Sequence, residues 1–248
     1  MKPFEYRRRF FIQNSLLMTG GAFTTSLLFP FQRESKHPKS NEAEETGPED
    51  IAPPEDLMRE HGVLNRVLLI YDEIQHRLNG GKEFPPEVLS GAAGIIRNFI
   101  ENYHEKLEED YLFPRFEKAG KLVELVRVLR EQHLAGRQLT ARIQKGGTAA
   151  MLKNEGERKA LSEDLRLFAR MYRPHEARED TVLFPAIRTV VSPREFDELG
   201  DQFEDKEHAL FGKEGFEGIV VEVAKLEKAL SIYELSQFTP KEVSHSGS

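Results

Sequence analysis

The sequence predicts an all-α protein: an up-and-down four-helix bundle with additional C-terminal helices. Three observations carry this expectation. From Glu55 onward, apolar residues recur near a 3.6-residue period with charged residues between them. No stretch shows the sustained apolar–polar alternation of a half-buried strand. Gly and Pro divide the pattern into long segments with short connections, which favours antiparallel neighbours.

The chain opens on a different note. Arg7-Arg8-Arg9 precedes Phe10-Phe11-Ile12, and a mostly apolar run continues to about Phe31 without an acidic or basic residue. A basic head followed by an apolar stretch reads as a targeting segment. Arg7-Arg8-Arg9-Phe10-Phe11 resembles the bacterial twin-arginine motif, and Gly20-Gly21 with Gln13, Asn14 and several Thr suits that type. Residues 1–31 are therefore read as an export segment and the protein as periplasmic or extracytoplasmic. A Sec signal or a retained membrane anchor is the alternative, since no small-x-small cleavage site stands out. Residues 32–54 carry Ser, Pro, Glu, Lys and Asn with almost no large apolar side chain, too little to offset chain entropy, and are expected to be a disordered linker.

The expected bundle domain covers residues 55–238. Leu57, Leu64, Leu68, Tyr71 and Ile74 mark the first helix, which Gly80-Gly81 stops. Pro85-Pro86-Glu87 opens a second that should run to about residue 112. The third spans roughly residues 121–144 and ends at Gly146-Gly147. The fourth covers about residues 154–182, a fifth starts at Ser192-Pro193, and a sixth covers about residues 215–230. Residues 239–248 form a tail.

Composition narrows the chemistry. The 248 residues are 39% hydrophobic and 31% charged, enough for a core, and the net charge of −7 argues against a nucleic-acid partner, because a phosphate backbone needs a basic face. The chain has no Cys, which excludes disulfides, thiolate metal sites and a Cys nucleophile. The eight His are then the place to look for function. His37 and His245 fall in the linker and tail, and His76 beside Arg77 reads as a surface residue.

An internal repeat gathers most of the others. Tyr103-His104-Glu105-Lys106-Leu107-Glu108 runs on to Leu112-Phe113-Pro114, and Pro174-His175-Glu176-Ala177-Arg178-Glu179 runs on to Leu183-Phe184-Pro185. The offset is constant: 175 minus 104 and 184 minus 113 are both 71. Upstream, Arg59-Glu60-His61 resembles Glu131-Gln132-His133 at an offset of 133 minus 61, or 72. Residues four apart on a helix differ by roughly 40° in direction, so His104 with Glu108, and His175 with Glu179, can reach one ion or ion pair. Two such hairpins packed antiparallel would bring all six groups to the bundle centre. The Leu-Phe-Pro after each pair is expected to pack beside the site and break the helix. Burying these imidazoles and carboxylates without a metal would be costly.

This constellation resembles the hemerythrin-like HHE cation-binding family over about residues 55–238. The resemblance implies a four-helix bundle with a non-haem di-iron centre, whose ligands would be His61, His104, Glu108, His133, His175 and Glu179. Two positions differ from the oxygen carriers. Arg137 stands where they place a second His of helix three, and Glu179 follows its His by four residues where they have an Asp five residues on. His208 on the fifth helix is the expected replacement ligand, with Glu204 as the alternative.

Iron also fits the ligand types, since mixed His and carboxylate sets with open positions suit it. Two octahedral ions offer about 12 positions, and five His, two bridging Glu and one bridging oxygen fill about 11. The open position would bind O2, NO or peroxide. Ferritin-like sites need two Glu-x-x-His pairs, and only Glu101-x-x-His104 has that spacing; the His-Glu-x-x-His of zinc peptidases is absent. The expected function is a di-iron binding protein for such a ligand, acting in storage, delivery or sensing. A di-iron enzyme that removes peroxide or NO is the alternative. A monomer is expected.

Overall fold

The computed structural model describes residues 51–240. The expected export segment, His37, all of the expected linker before residue 51, and His245 with the tail from residue 241 lie outside the described residues. Among the described residues there are six helices and no strand, as the sequence predicts.

Helix α1 (Pro53–Asn79) begins two residues before Glu55. Pro53 and Pro54 fall in its first turn, where a missing N–H costs nothing, and Glu55 and Asp56 meet the positive end of the helix dipole. Its inner face buries Leu57, Leu64, Leu68, Tyr71 and Ile74, and Gly80 ends it.

Helix α2 (residues 86–119) corrects an expectation. It continues seven residues past Leu112 and ends only at Gly120, which adopts the left-handed conformation at φ 64°. Pro114 does not break it, because residues 108–112 form a π turn with i→i+5 bonds. Pro114 thus sits in the first turn of a fresh α segment, where its absent N–H has no partner to lose. Pro185 is accommodated in the same way after the π turn at residues 179–183. A further π segment covers residues 96–104. Both His-x-x-x-Glu pairs are thus bordered by widened turns, which are frequent at functional sites.

Helix α3 spans Val123–Gly146. Helix α4 (residues 155–186) starts where Asn154 caps the Glu157 N–H at 3.1 Å. Helices α1 to α4 form the bundle, with α4 packed between α1 and α3. Helix α5 (Pro193–Phe211) opens with a capping box between Ser192 and Glu195. It packs on α1 and α2, and α6 (Gly215–Leu230) lies across α1 and α2 as well. The Arg66 guanidinium donates to both Glu227 oxygens at 3.0 and 2.5 Å, and Arg59 stacks over Phe216 at 4.4 Å. The additional C-terminal pair therefore packs chiefly on the first hairpin of the bundle, and meets the end of the second where Arg188 lies over Phe196 at 3.7 Å. Among the described residues no helix is long and apolar enough to cross a membrane.

Candidate metal centre

Each bundle helix contributes one buried histidine at the same depth: His61 from α1, His104 from α2, His133 from α3 and His175 from α4. The rings pair across the axis, His61 with His104 at 4.6 Å between centroids and His133 with His175 at 5.1 Å. Glu108 and Glu179, one turn beyond His104 and His175, lie between the two pairs. A Glu179 oxygen is 3.1 Å from His175 Nε2 and 3.4 Å from His61 Nε2. A Glu108 oxygen is 3.4 Å from His133 Nε2 and 3.9 Å from His104 Nε2. Two metal-competent groups result, Glu108-His133-His175-Glu179 and His61-His104-Glu108. They share Glu108, and Glu179 reaches toward both.

Every ring is held from behind by its Nδ1. His61 faces Asp180 at 2.7 Å, His104 faces Glu60 at 2.7 Å, His133 faces Glu109 at 3.0 Å and His175 faces the Gln132 carbonyl oxygen at 2.9 Å. All four partners are acceptors, so the ring proton belongs on Nδ1 and the Nε2 lone pair points inward. This is the tautomer a metal requires.

The inner atoms have no other occupation. His104 Nε2, His133 Nε2 and both carboxylate oxygens of Glu108 and Glu179 are buried without a hydrogen-bond partner, six atoms in all. At roughly 1–3 kcal/mol each for an unmet buried polar group, they would consume a domain's usual margin of roughly 5–15 kcal/mol. The donor set fits a pair of cations, which would satisfy all six at once.

Electrostatics report the same strain. Burial, reinforced by the Glu179 charge, pushes the Glu108 carboxyl well above the usual carboxylate range. Burial acts in that direction on Glu179 too, but the imidazoles of His175 and His61 outweigh it and hold Glu179 well below that range. Burial drives His104 well below its ordinary value and His133 down to about 4. On His61 burial is overcome by Asp180 and Glu179, and the ring is raised to about 10.

Around this centre sits a polar shell. The Arg137 guanidinium donates at 2.8 Å to both Glu105 and Glu109. Glu105 also accepts from the buried Tyr172 hydroxyl at 2.6 Å. Glu109 is held by His133, Arg137 and Lys106.

The structure brings together His61, His104, Glu108, His133, His175 and Glu179. It does not bring His208 or Glu204 to them, and neither belongs to any metal-competent group among the described residues. Helix α5 buries Phe196, Leu199, Phe203 and Glu207 on one stripe. A residue next in sequence points roughly 100° away, so His208 turns off that stripe and Glu207 is the polar group that faces in. Glu207 accepts from the Phe216 N–H at 3.1 Å and gathers with Asp56 and Glu60 behind His104. Sequence reasoning missed Glu60, Gln132 and Glu207 as members of the site's surroundings. For the first two the signal was present, since each directly precedes a repeated His.

Comparison with known proteins agrees with this geometry. Residues 52–187 match the model of the hemerythrin HHE cation binding domain. An uncharacterized protein of Mycobacterium tuberculosis is 52% identical over 199 residues, covering 79% of this chain and 78% of the relative. Its counterpart in Mycobacterium bovis matches with the same identity and coverage. No solved structure matches.

Proposed function

The chain belongs to the hemerythrin HHE cation-binding domain family, and from that premise we propose that it holds two iron ions as a non-haem di-iron centre and binds O2, NO or peroxide at an open iron position. The supporting observation is the six unpartnered inner atoms of His104, His133, Glu108 and Glu179, enclosed by four rings in the metal-binding tautomer. His61 and His104 would hold one ion and His133 and His175 the other, with Glu108 and Glu179 available to both. Imidazole with carboxylate suits iron, and four protein donors per ion fall about two short of an octahedral set. That shortfall admits a bridging oxygen and a small ligand. Arg7-Arg8-Arg9-Phe10-Phe11 supports delivery to the periplasm through the twin-arginine route, and Arg7→Lys with Arg8→Lys should leave the precursor in the cytoplasm.

One observation favours a second reading, turnover of peroxide or NO. Burial pushes Glu105, beside His133, up to about 8 against the opposing pull of Tyr172 and Arg137. A carboxyl that keeps its proton near neutrality can serve acid–base chemistry. Iron-replete expression should give about two iron per chain. Zinc alone, or no metal, would overturn the proposal. Stopped-flow mixing of the reduced protein with O2, NO and peroxide then separates the readings: a stable adduct supports binding, and repeated consumption supports the enzyme.

A further inference from the structure

The four outer hydrogen bonds close a ring around the bundle. Each helix supplies the acceptor for the next helix's histidine: Glu60 of α1 for His104, Glu109 of α2 for His133, Gln132 of α3 for His175, and Asp180 of α4 for His61. The internal repeat relates opposite members of this ring, since 180 minus 109 is 71 and 132 minus 60 is 72. Glu109 and Asp180 match as carboxylates. Glu60 and Gln132 do not: one is an acid and the other a neutral amide.

The mismatch falls on one pair of histidines. Behind His61 and His104 both acceptors are carboxylates. Glu60, moreover, lies in a buried group with Asp56 and Glu207, of which Asp56 is paired with Arg59 at 3.6 Å. Behind His133 and His175 the acceptors are Glu109, whose charge is countered by Arg137 and Lys106, and Gln132, which has none. A carboxylate acceptor draws the Nδ1 proton and makes the imidazole a more basic ligand, which favours the higher charge on a metal; a neutral amide does this less. Charge in a poorly screened interior acts in the same direction.

We infer that Gln132 makes the iron bound by His133 and His175 the easier of the two to reduce. One electron from an external reductant then converts that ion from ferric to ferrous and leaves the ion on His61 and His104 ferric. A second electron reduces the latter at lower potential. Gln132 acts through His175 and is a positioning residue. The inference rests on the di-iron reading above and assigns the order of its two redox steps.

The test is a reductive titration of the full-length, iron-57-loaded protein, followed by Mössbauer spectroscopy. The wild type should show two one-electron steps and, between them, one ferrous and one ferric ion in equal amounts. Gln132→Glu should move the first step to lower potential, leave the second in place and so narrow the gap. Glu60→Gln should raise the second step and leave the first, and it keeps the test decisive should Gln132→Glu not fold. A single two-electron step in the wild type, or a Gln132→Glu variant that shifts the second step or neither, overturns the inference while leaving the di-iron centre intact. Protein that binds no iron pair overturns the di-iron reading itself.

Discussion

The two hairpins α1–α2 and α3–α4 carry the same chemistry in different surroundings. Each supplies a lone histidine and a His-x-x-x-Glu pair, and each places a π turn after its glutamate. The first is roofed by α5 and α6, and its outer acceptor Glu60 is buried among Asp56 and Glu207. The second meets α5 near its end, where Arg188 lies over Phe196. A cavity of about 430 Å3 runs between α3 and α4, where Leu139, Leu167, Met171 and Pro174 lead up to Gln132. The inner ligands thus follow the repeat, while the groups one bond further out do not. Two ions held by like ligands would therefore sit in unlike fields.

The comparison can be broken most severely at a shared ligand. Glu179 belongs to the second hairpin yet touches both His175 and His61. Glu179→Ala should lose both ions together, with an affinity loss greater than the roughly 10–100-fold seen when an outer partner of a ligand is removed. Iron per chain after desalting measures this. Retention of both ions would show that the halves are independent.

A smaller effect separates the loaded from the metal-free protein by pH. Without metal, burial raises Glu105 to about 8 and Glu176 to about 7, while His61 reaches about 10 because Asp180 and Glu179 overcome its burial. Groups raised on folding contribute stability that is full below their unfolded values and is lost as pH climbs through the folded ones. His133, lowered to about 4 by burial, has the opposite sign, but its contribution is already complete above its unfolded value. Between about pH 6.5 and 8 the metal-free melting temperature should therefore fall. The iron-loaded protein should rise over the same window, because metal takes the deprotonated ligands. Parallel trends in the two forms would place these groups outside the metal's influence.

A third change probes the second hairpin alone. A Cβ at Gly136 would meet the Tyr172 hydroxyl at 2.0 Å and its ring at 2.8 Å. Tyr172 is fixed by stacking on Phe168 at 4.3 Å and by its bond to Glu105. Ala normally gains about 1 kcal/mol over Gly in a helix, but overpacking of this kind costs about 1–3 kcal/mol. At this depth of overlap the clash wins, so Gly136→Ala should melt a few degrees lower. At the repeat offset the first hairpin has Leu64, since 136 minus 72 is 64, a buried side chain where the second hairpin has none. A melting temperature that rises would mean that Tyr172 is free to move.

What the sequence made legible follows from these contrasts. Four of the six inner groups could be read because His-x-x-x-Glu on one helix needs no knowledge of any other helix, and His61 and His133 followed from the repeat. The six helices could be read from apolar spacing and from stops such as Gly80-Gly81 and Gly146-Gly147. The extension of α2 past Pro114 could not, since a π turn leaves no mark on the apolar pattern that a break would not also leave. The outer acceptors were hidden for a related reason. Glu60 lies beside His61 in the chain but serves His104 on the next helix, so its role depends on which helices are neighbours. His208 was chosen because the sequence has few other histidines; nothing in the pattern said which side of α5 faces the bundle.

His208 gives the smallest expected effect and the sharpest check on where the site ends. Helix α5 packs on α1 and α2 through Phe196, Leu199, Phe203 and Glu207, a stripe spaced at three and four residues. The next position, 208, is turned away from it by roughly 100°. A ligand must place its Nε2 among those of His61, His104, His133 and His175, and the groups that meet there contain no α5 residue. His208→Ala should therefore keep the full iron content and the same order of redox steps. Glu207→Gln, one residue earlier, removes a buried charge behind Glu60 and should raise the potential of the ion on His61 and His104 without releasing it. Loss of one iron in His208→Ala would return α5 to the coordination sphere. Loss of nothing in His208→Ala, with a shifted second step in Glu207→Gln, would leave α5 acting on the metal only through the field of the first hairpin.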